Sequence, residues 1–166
     1  FVVATGYIES RRQARIGARA PGRIDVANFE EGDRIKAGDL LAELDQKDLD
    51  ASLAASIASV ARAKAALGEQ EILIQQADAD KNRAEKLQGT SAISRAEYDQ
   101  FHYTHQSAVA RLESPKAEMM LAEAQQRQAE QLLENMYIRA HFDGTVISKD
   151  AEEGESIMPG GTGGTS

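Results

Sequence analysis

The strongest constraint on the fold is a short pattern that occurs once near each end of the chain. Three glycines, one acidic residue and two aliphatic residues recur at a constant offset of 122 residues, as G-x-(I/V)-(x6)-E-G-(x2)-I-(x2)-G. Glycines at fixed places in strand-like sequence indicate turns that need a positive φ. Each copy, at about 25 residues, is too short to bury a core alone, so we expect the two copies to fold against each other. The copies are Gly22, Ile24, Glu31, Gly32, Ile35 and Gly38, and Gly144, Val146, Glu153, Gly154, Ile157 and Gly160.

The residues between the two copies have a different composition. Residues 1–44, with a leading strand in VVATGYI, and residues 138–166 contain short alternating or β-branched runs such as RQARIGARA, GRIDVANF and DLLAEL. Gly, Pro, Asn and Asp separate these runs, which predicts β-strands. Residues 45–137 are rich in Ala, Glu, Gln and Lys and predict two long helices. We therefore expect an α+β protein in which a helical hairpin over 45–137 splits one β domain.

The first helix is predicted to start near Asp45 or Asp48, either of which can cap free N–H groups. It should end at Leu87 or Gln88, with Gly89 as the left-handed residue that closes it. Roughly 40 residues at 1.5 Å per residue make a rod of about 60 Å. A helix of that length exceeds a small β domain, so we expect the hairpin to project from it, with its tip near 88–94.

The second helix is predicted to begin at Ser94, because Ser94 and Glu97 have the spacing of a capping box. Pro115 lies inside it, lacks an N–H donor and collides with the carbonyl of Arg111, at a cost of about 3 kcal/mol. A kink or break is therefore expected near 111–115. The alternative is a new helix that starts at Pro115 after Ser114.

Apolar spacing predicts that the two helices pair as an antiparallel coiled coil. On the first helix, Leu53, Ile57, Val60, Leu67 and Ile74 keep a heptad register, which is interrupted at positions 64, 71 and 78 by Lys, Glu and Asp. On the second helix, steps of three and four residues give a more regular seam. Its positions are Tyr98, Phe101, His105, Ala108, Leu112, Pro115, Met119, Ala122, Gln126, Ala129, Leu133 and Met136.

The two flanks carry a family resemblance. APGRIDVANFEEGDRIKAGDLLAELD resembles the first half of a biotinyl/lipoyl-like, or barrel-sandwich hybrid, domain, and IRAHFDGTVISKDAEEGESIMPGG resembles its second half. A helical insertion between such halves resembles the periplasmic adaptors, or membrane fusion proteins, of the HlyD type. That family usually has Ala-Pro before Phe in the second half, where this chain has Ala140, His141 and Phe142.

The resemblance implies a tripartite efflux or secretion complex. Such an adaptor links an inner-membrane RND or ABC transporter to a TolC-type outer-membrane channel and self-associates into a ring, commonly of six. It implies a place in the periplasm of a Gram-negative bacterium, with inner-membrane attachment through parts absent from this chain. The start in strand-like sequence and the Gly-rich end, PGGTGGTS, are likewise expected of a fragment of a longer protein.

The hairpin tip also matches a family motif, R-(x3)-L-(x6)-S, at Arg83, Leu87 and Ser94. The resemblance implies that these side chains dock the tip onto the channel. An exposed Leu supplies an apolar knob, Arg supplies five N–H donors, and Ser supplies a small hydrogen-bonding group. The alternatives are that Ser94 only caps the helix, Leu87 ends the seam and Arg83 pairs with a nearby Glu.

Other chemistry finds little support in the residues. A net charge of −8 argues against nucleic acid as a partner. His102 and His105 lack a third metal ligand nearby, and Lys47, near where carrier domains present a modified lysine, is followed by a predicted helix. No catalytic motif is present, so we expect a protein that is not an enzyme and needs no cofactor or metal. The alternatives are a biotin or lipoate carrier with a helical insertion and a generic coiled-coil scaffold.

Overall fold

The computed structural model describes residues 14–159, which divide into two compact units. One unit joins the residues before Lys47 to those from Glu134 onward, and the other is Lys47–Leu133. The strand predicted in VVATGYI lies outside the described residues. The strand predicted in RQARIGARA is wrong for residues 14–20, which take part in neither sheet. Alternation shows which side chains can share a face, but a strand also needs a hydrogen-bonded neighbour.

Within residues 14–159, the β unit contains six short strands in two antiparallel sheets. A four-stranded sheet has the order β4-β3-β1-β6, and a two-stranded sheet pairs β2 with β5. Strands β1 to β3 precede the helices in sequence and β4 to β6 follow them, so each sheet combines both flanks of the chain. The strands are β1 (Gly22–Ala27), β2 (Arg34–Ile35), β3 (Leu40–Leu44), β4 (Tyr137–Arg139), β5 (Gly144–Thr145) and β6 (Ser156–Ile157).

The two copies of the repeated pattern pair reciprocally. Gly22 lies opposite Ile157, and Ile35 lies opposite Gly144, so each copy supplies the partner strand of the other. The N–H of Gly32 donates to the carbonyl of residue 146 at 2.9 Å, and that of Gly154 donates to the carbonyl of residue 24 at 2.8 Å. These contacts obey the same offset that relates the sequences. The expectation that the two copies fold against each other is confirmed.

Within each copy, the Glu-Gly pair has two separate tasks. Gly32 and Gly154 have φ values of 94° and 86°, which only glycine adopts without strain, and they form the turns. The glutamates reach across to the other copy. Glu31 Oε1 accepts from the backbone N–H of residue 149 at 3.1 Å, and Glu153 Oε1 accepts from that of residue 27 at 3.2 Å. The recurrence of both residue types thus has a physical reason.

The core of the β unit also draws on both flanks. Ile24 and Leu44 are 2% and 1% exposed, and they share the buried set with Leu41, Met136 and Ala140. The N–H of Leu44 donates to the carbonyl of Met136 at 3.0 Å, so the chain leaves this unit and re-enters it at adjacent points. An α+β arrangement in which helices interrupt one β unit is therefore confirmed.

The helical unit begins with α1 (Lys47–Gly89), whose 43 residues correspond to about 65 Å at 1.5 Å per residue. It is followed by α2 (Arg95–Ala110) and α3 (Glu113–Glu134). The Gln70 side chain donates to the carbonyl of Ala108 at 2.7 Å, and Asp78 lies 3.5 Å from His105. The earlier residue of α1 thus contacts the later residue of α2, which confirms that the two helices pair in antiparallel orientation.

The seam predicted on the second helical segment is confirmed. Its positions from Tyr98 to Leu133 are buried or half-buried, except that Phe101 is 40% exposed. The last predicted position, Met136, lies beyond α3 and belongs to the core of the β unit. The heptad register continues from α2 into α3 across residues 111–112. Alanines occupy its most buried helical positions, Ala122 and Ala129, which are 5% and 8% exposed.

The seam predicted on α1 is half wrong. Leu53, Val60, Leu67 and Ile74 are half-buried as expected, but Ile57 is 48% exposed and positions 64 and 71 are exposed as well. At every second position of the predicted register, the residue that faces the partner helix lies one residue earlier than predicted. The buried or half-buried stripe runs without interruption through Leu49, Leu53, Ser56, Val60, Ala63, Leu67, Gln70, Ile74, Ala77, Lys81, Ala84 and Gln88.

The second helical segment breaks within the expected range of 111–115. The N–H groups of Arg111 and Leu112 donate to the carbonyls of Ser107 and Val109 at 3.1 Å each, which ends α2. The next helix starts at Glu113, two residues before the alternative start at Pro115. Pro115 therefore lies in the first turn of α3, where a missing N–H costs no intrahelical bond.

Candidate functional site

The hairpin tip is formed by residues 90–94 and the helix ends that flank them. Gly89 still belongs to α1 and has no positive φ, so its predicted role as the left-handed residue is wrong. That conformation is taken by Ser91, with φ of 62°. The N–H of Ala92 donates to the carbonyl of Leu87 at 3.0 Å, and that of Ser91 donates to the carbonyl of Gln88 at 2.9 Å. This pair of bonds is a Schellman motif, which satisfies the last carbonyls of α1.

The predicted capping box at the start of α2 is confirmed. Ser94 Oγ accepts from the N–H of Glu97 at 3.2 Å and donates to Glu97 Oε2 at 2.9 Å. The Ser94 N–H donates to the same carboxylate oxygen at 2.8 Å. These bonds from the backbone and side chain of Ser94 lower the pKa of Glu97, because they favour its ionised form. The Ser94 hydroxyl keeps one lone pair for another donor.

Arg83 and Leu87 lie one turn apart on α1 and are both exposed. The Arg83 side chain is 71% exposed and its guanidinium donates to Asp80 Oδ1 at 3.0 Å, not to a glutamate. Leu87 is 41% exposed. The seam passes through Ala84 and Gln88, so Leu87 stands beside the seam and does not end it. Both motif side chains are therefore accessible to a partner.

A cleft of about 240 Å³ lies between these residues and α2. Ala84, Leu87, Ile93 and Phe101 provide its apolar lining, and its charged lining residues are Asp80, Arg83 and Glu97. Sequence reasoning did not single out Ile93, and it assigned Phe101 only to the seam. The available signal was an isoleucine within a short polar tip, since such a residue has little reason to be there unless it packs or binds.

A second polar cluster joins α1 to α2 about two to three turns below the tip. Lys81, whose bond to Asp78 is 3.2 Å, is the main cause of a lowered Asp78 pKa. Asn82 donates to Asp78 Oδ2 at 2.9 Å, and His105 Nε2 lies 3.5 Å from Asp78 Oδ1, the oxygen that also accepts from Lys81. Asp78, expected to interrupt the seam, instead flanks it and links the two helices.

The remaining candidate positions have ordinary surroundings. His102 stacks on Tyr98 at 6.2 Å and meets Tyr103 edge-on at 5.7 Å, and within residues 14–159 no three His, Cys, Asp or Glu side chains converge as a metal site. Lys47 is the first residue of a 43-residue helix, unlike the lysine of a carrier domain on a tight turn. Among the described helices, none has the length and apolarity needed to cross a membrane.

Comparison with known proteins gives consistent matches along the chain. A family model described as RND MFP, barrel-sandwich hybrid domain, matches residues 12–164. The chain is 31% identical over 160 residues to multidrug resistance protein MdtA of Photorhabdus laumondii, covering 96% of this chain and 36% of that protein. MdtA of Escherichia coli strain SMS-3-5 is 31% identical over 165 residues, covering 99% and 36%. The chain thus spans about a third of the length of these relatives.

Solved structures give matches that agree with the family model. MacA from Actinobacillus actinomycetemcomitans superposes with a TM-score of 0.80 at 32% identity, over 95% of this chain and 48% of that one. A MacA-MexA chimera that contains the Pseudomonas aeruginosa MexA α-hairpin domain gives a TM-score of 0.60 at 26% identity, over 93% and 45%.

Family model and structural neighbours together confirm the predicted barrel-sandwich hybrid fold. They also confirm the resemblance to periplasmic adaptors, or membrane fusion proteins, and the family model describes the RND type. Membrane fusion proteins are adaptors and not enzymes. The chain therefore belongs to the RND membrane fusion proteins, a family of periplasmic adaptors, and contains their barrel-sandwich hybrid domain with its helical hairpin.

Proposed function

We propose that this chain is part of a periplasmic adaptor that joins an inner-membrane transporter to a TolC-type outer-membrane channel, and that the hairpin tip docks onto that channel. Arg83, Leu87 and Ser94 are the proposed contact residues. Leu87 anchors the tip by burial, Arg83 donates hydrogen bonds, and Ser94 accepts one with its remaining lone pair. The acidic chain, at −8, suits a protein partner better than nucleic acid.

The observation that carries this proposal is the exposure of Arg83 and Leu87 beside the loop of the hairpin. Leu87 is outside the seam and 41% exposed, so packing of the hairpin leaves its side chain accessible. Arg83 has one bond to Asp80 at 3.0 Å, and a guanidinium has five N–H donors. Arginine is enriched among the residues that dominate binding energy at protein interfaces, and burial of an exposed apolar side chain favours association.

The family match supports a proposal for the partner pump and for the assembly. The matched model describes RND membrane fusion proteins, which favours a resistance-nodulation-division pump over an ATP-driven transporter. We propose that adaptors of this kind assemble in the periplasm as a ring, with six copies as the expected number. Inner-membrane attachment would come from parts of the protein outside this chain.

Site-directed cross-linking tests the docking role. Cysteines replace Leu87 or Ser94 in the full-length adaptor, in a bacterium that expresses a TolC-type channel with a cysteine at each position of its periplasmic end in turn. The control cysteine replaces Gln75, an exposed residue of α1 about four turns before the end of that helix. Docking predicts adaptor–channel adducts at 87 and 94 that clearly exceed those at 75. Equal adduct yields at all three positions would refute it.

A further inference from the structure

A cavity of about 360 Å³ lies within the β unit and is lined by both flanks of the chain. Its described lining residues fall in the ranges 16–19, 37–38 and 134–141. Three of them are basic, Arg19, Arg139 and His141, and one is acidic, Glu134. Because both guanidinium groups stay protonated, the cavity carries an excess of positive charge in a chain whose net charge is −8.

The repeated pattern extends into this cavity. Residues 16–22 match residues 138–144 at the same offset of 122, with isoleucine, alanine and glycine at the first, third and seventh positions of each segment. Arg19 and His141 occupy equivalent positions in the two segments, and both line the cavity. The two copies of the pattern thus each contribute one polar side chain to the same space.

Arg139 is held in place at the wall of the cavity. Its Nε lies 3.5 Å from Glu134 Oε1, its Nη1 donates to the carbonyl of Gly38 at 3.4 Å, and its guanidinium lies 5.6 Å from the centre of the Tyr137 ring. These contacts use two of its five N–H groups and leave three for a ligand. A guanidinium oriented in this way loses less freedom when it binds.

Arg19 and His141 are not committed to other groups of the protein. Both residues are exposed, and within residues 14–159 neither side chain makes a hydrogen bond or an ion pair. Asp39 and Asp143 are close in sequence to lining residues but are not among them. Their carboxylates accept from the backbone N–H groups of residues 36 and 37 at 2.8 Å each. The donors of Arg19 and His141 are therefore available to a ligand.

We propose that this cavity binds a phosphate group, with Arg19, Arg139 and His141 as its hydrogen-bond donors. A single guanidinium fork already matches the two oxygens of a carboxylate. Donors that come from two separate segments suit a tetrahedral oxyanion better, because its oxygens point in several directions. A small phosphate ester in solution and a lipid head group present the same oxygens to the site. The inference concerns the β unit alone and does not rest on docking of the hairpin tip.

Calorimetric titration of the 166-residue chain with inorganic phosphate tests the site. Arg19→Gln removes a charge-assisted hydrogen bond and should weaken phosphate binding by about tenfold. Arg15→Gln is the matched control, because it removes the same charge from an exposed arginine that does not line the cavity. It should change phosphate binding by less than about twofold. Since the Arg19 side chain bonds to no described residue, Arg19→Gln should keep the fold.

Equal losses in the two variants would show only a general attraction to positive charge, and the site would be refuted. The same conclusion follows if wild type shows no saturable phosphate binding up to about 10 mM. Acetate tests the geometry assigned to the ligand, and it should bind at least about fivefold more weakly than phosphate. Acetate binding as tight as that of phosphate would overturn the phosphate assignment.

Two further probes distinguish the sources of the phosphate group. Glycerol phosphate represents a small ester in solution, and nanodiscs that contain phosphatidic acid represent a lipid head group, with phosphatidylcholine nanodiscs as the control. The source is the probe that binds wild type about tenfold more tightly than Arg19→Gln. If neither probe distinguishes wild type from Arg19→Gln, the proposal fails.

Discussion

At the scale of single residues, the tip loop depends on one strained position. Ser91 adopts φ of 62°, a left-handed conformation that places Cβ against the following carbonyl oxygen. The strain is tolerated because the Schellman bonds satisfy the carbonyls of Leu87 and Gln88. Gly89, two residues earlier, has helical geometry, and a methyl group added at its Cα would meet no neighbouring atom within 4 Å. The glycine, which would tolerate a positive φ, is therefore at position 89, whereas the positive φ is at position 91.

Glycine at position 91 and a non-glycine residue at position 89 should each stabilise the hairpin. Ser91→Gly relieves the left-handed strain and should raise the free energy of unfolding by about 1 kcal/mol. Gly89→Ala improves helix propensity and should add about 0.5–1 kcal/mol. Urea unfolding followed by helical circular dichroism measures both. A destabilised Gly89→Ala variant would mean that position 89 needs the left-handed conformation after all.

The capping box should make hairpin stability depend on pH. The folded state lowers the pKa of Glu97 below its ordinary value of 4.5, so the ionised carboxylate stabilises the fold above that pH. The contribution is lost as pH falls through the lower folded pKa. Glu97→Gln should thus be less stable than wild type at neutral pH, and the difference should shrink under acid conditions.

Unfolding curves across that pH range provide the measurement. In a Ser94→Ala background the donor hydroxyl is gone, and the pH-dependent part of the Glu97→Gln effect should become smaller. An effect of the same size with and without the Ser94 hydroxyl would show that another group causes the pH dependence.

The two residue-level predictions at the tip had different outcomes for a physical reason. A capping box is local, since Ser94 and Glu97 are three residues apart and their bonds follow from helix geometry alone. The position of the left-handed residue depends on the residue at which α1 ends, because the chain reverses direction after that point. Packing of the seam through Gln88 decides that length, and the glycine signal at 89 does not carry this information.

At the scale of elements, α1 pairs through a stripe of alternating large and small residues. Its small positions include Ser56, Ala63, Ala77 and Ala84, and the three alanines are 9% exposed or less. The sequence prediction placed Ile57 on the seam, with its heptad equivalents 64, 71 and 78 as interruptions, whereas the less hydrophobic Ser56 takes that position in the structure. The regular seam of α2 and α3 was recognisable because larger apolar residues mark it, whereas alanine occurs on every face of α1.

The register predicts where a larger side chain is tolerated. Ala77→Leu places extra methyl groups in the seam and should destabilise the hairpin by about 1–3 kcal/mol. Ala79→Leu is the matched control, because position 79 is exposed and leucine has nearly the helix propensity of alanine. Thermal unfolding of both variants gives the comparison. Equal effects of the two substitutions would contradict the register of α1.

At the scale of the whole molecule, the repeated pattern predicted correctly that the two copies pair, because its residues make reciprocal contacts between the copies. Glu31 and Glu153 each accept a bond from the backbone of the other copy, and the two turns are equivalent. A sequence repeat of this kind specifies its own partner even with the helices in between. It does not specify the strand ends, and the described residues 14–20 show that alternation without a ladder partner forms no strand.

The central claim is that the two ends of the chain form one β unit into which the hairpin is inserted. The most direct test replaces Lys47–Leu133 with a short Gly-Asn-Gly turn, which the bond between Leu44 and Met136 at 3.0 Å makes sterically feasible. Two-dimensional amide NMR of this shortened chain should show dispersed resonances, contacts between Gly22 and Ile157, and one cooperative thermal transition. A collapsed spectrum without a cooperative transition would contradict the claim.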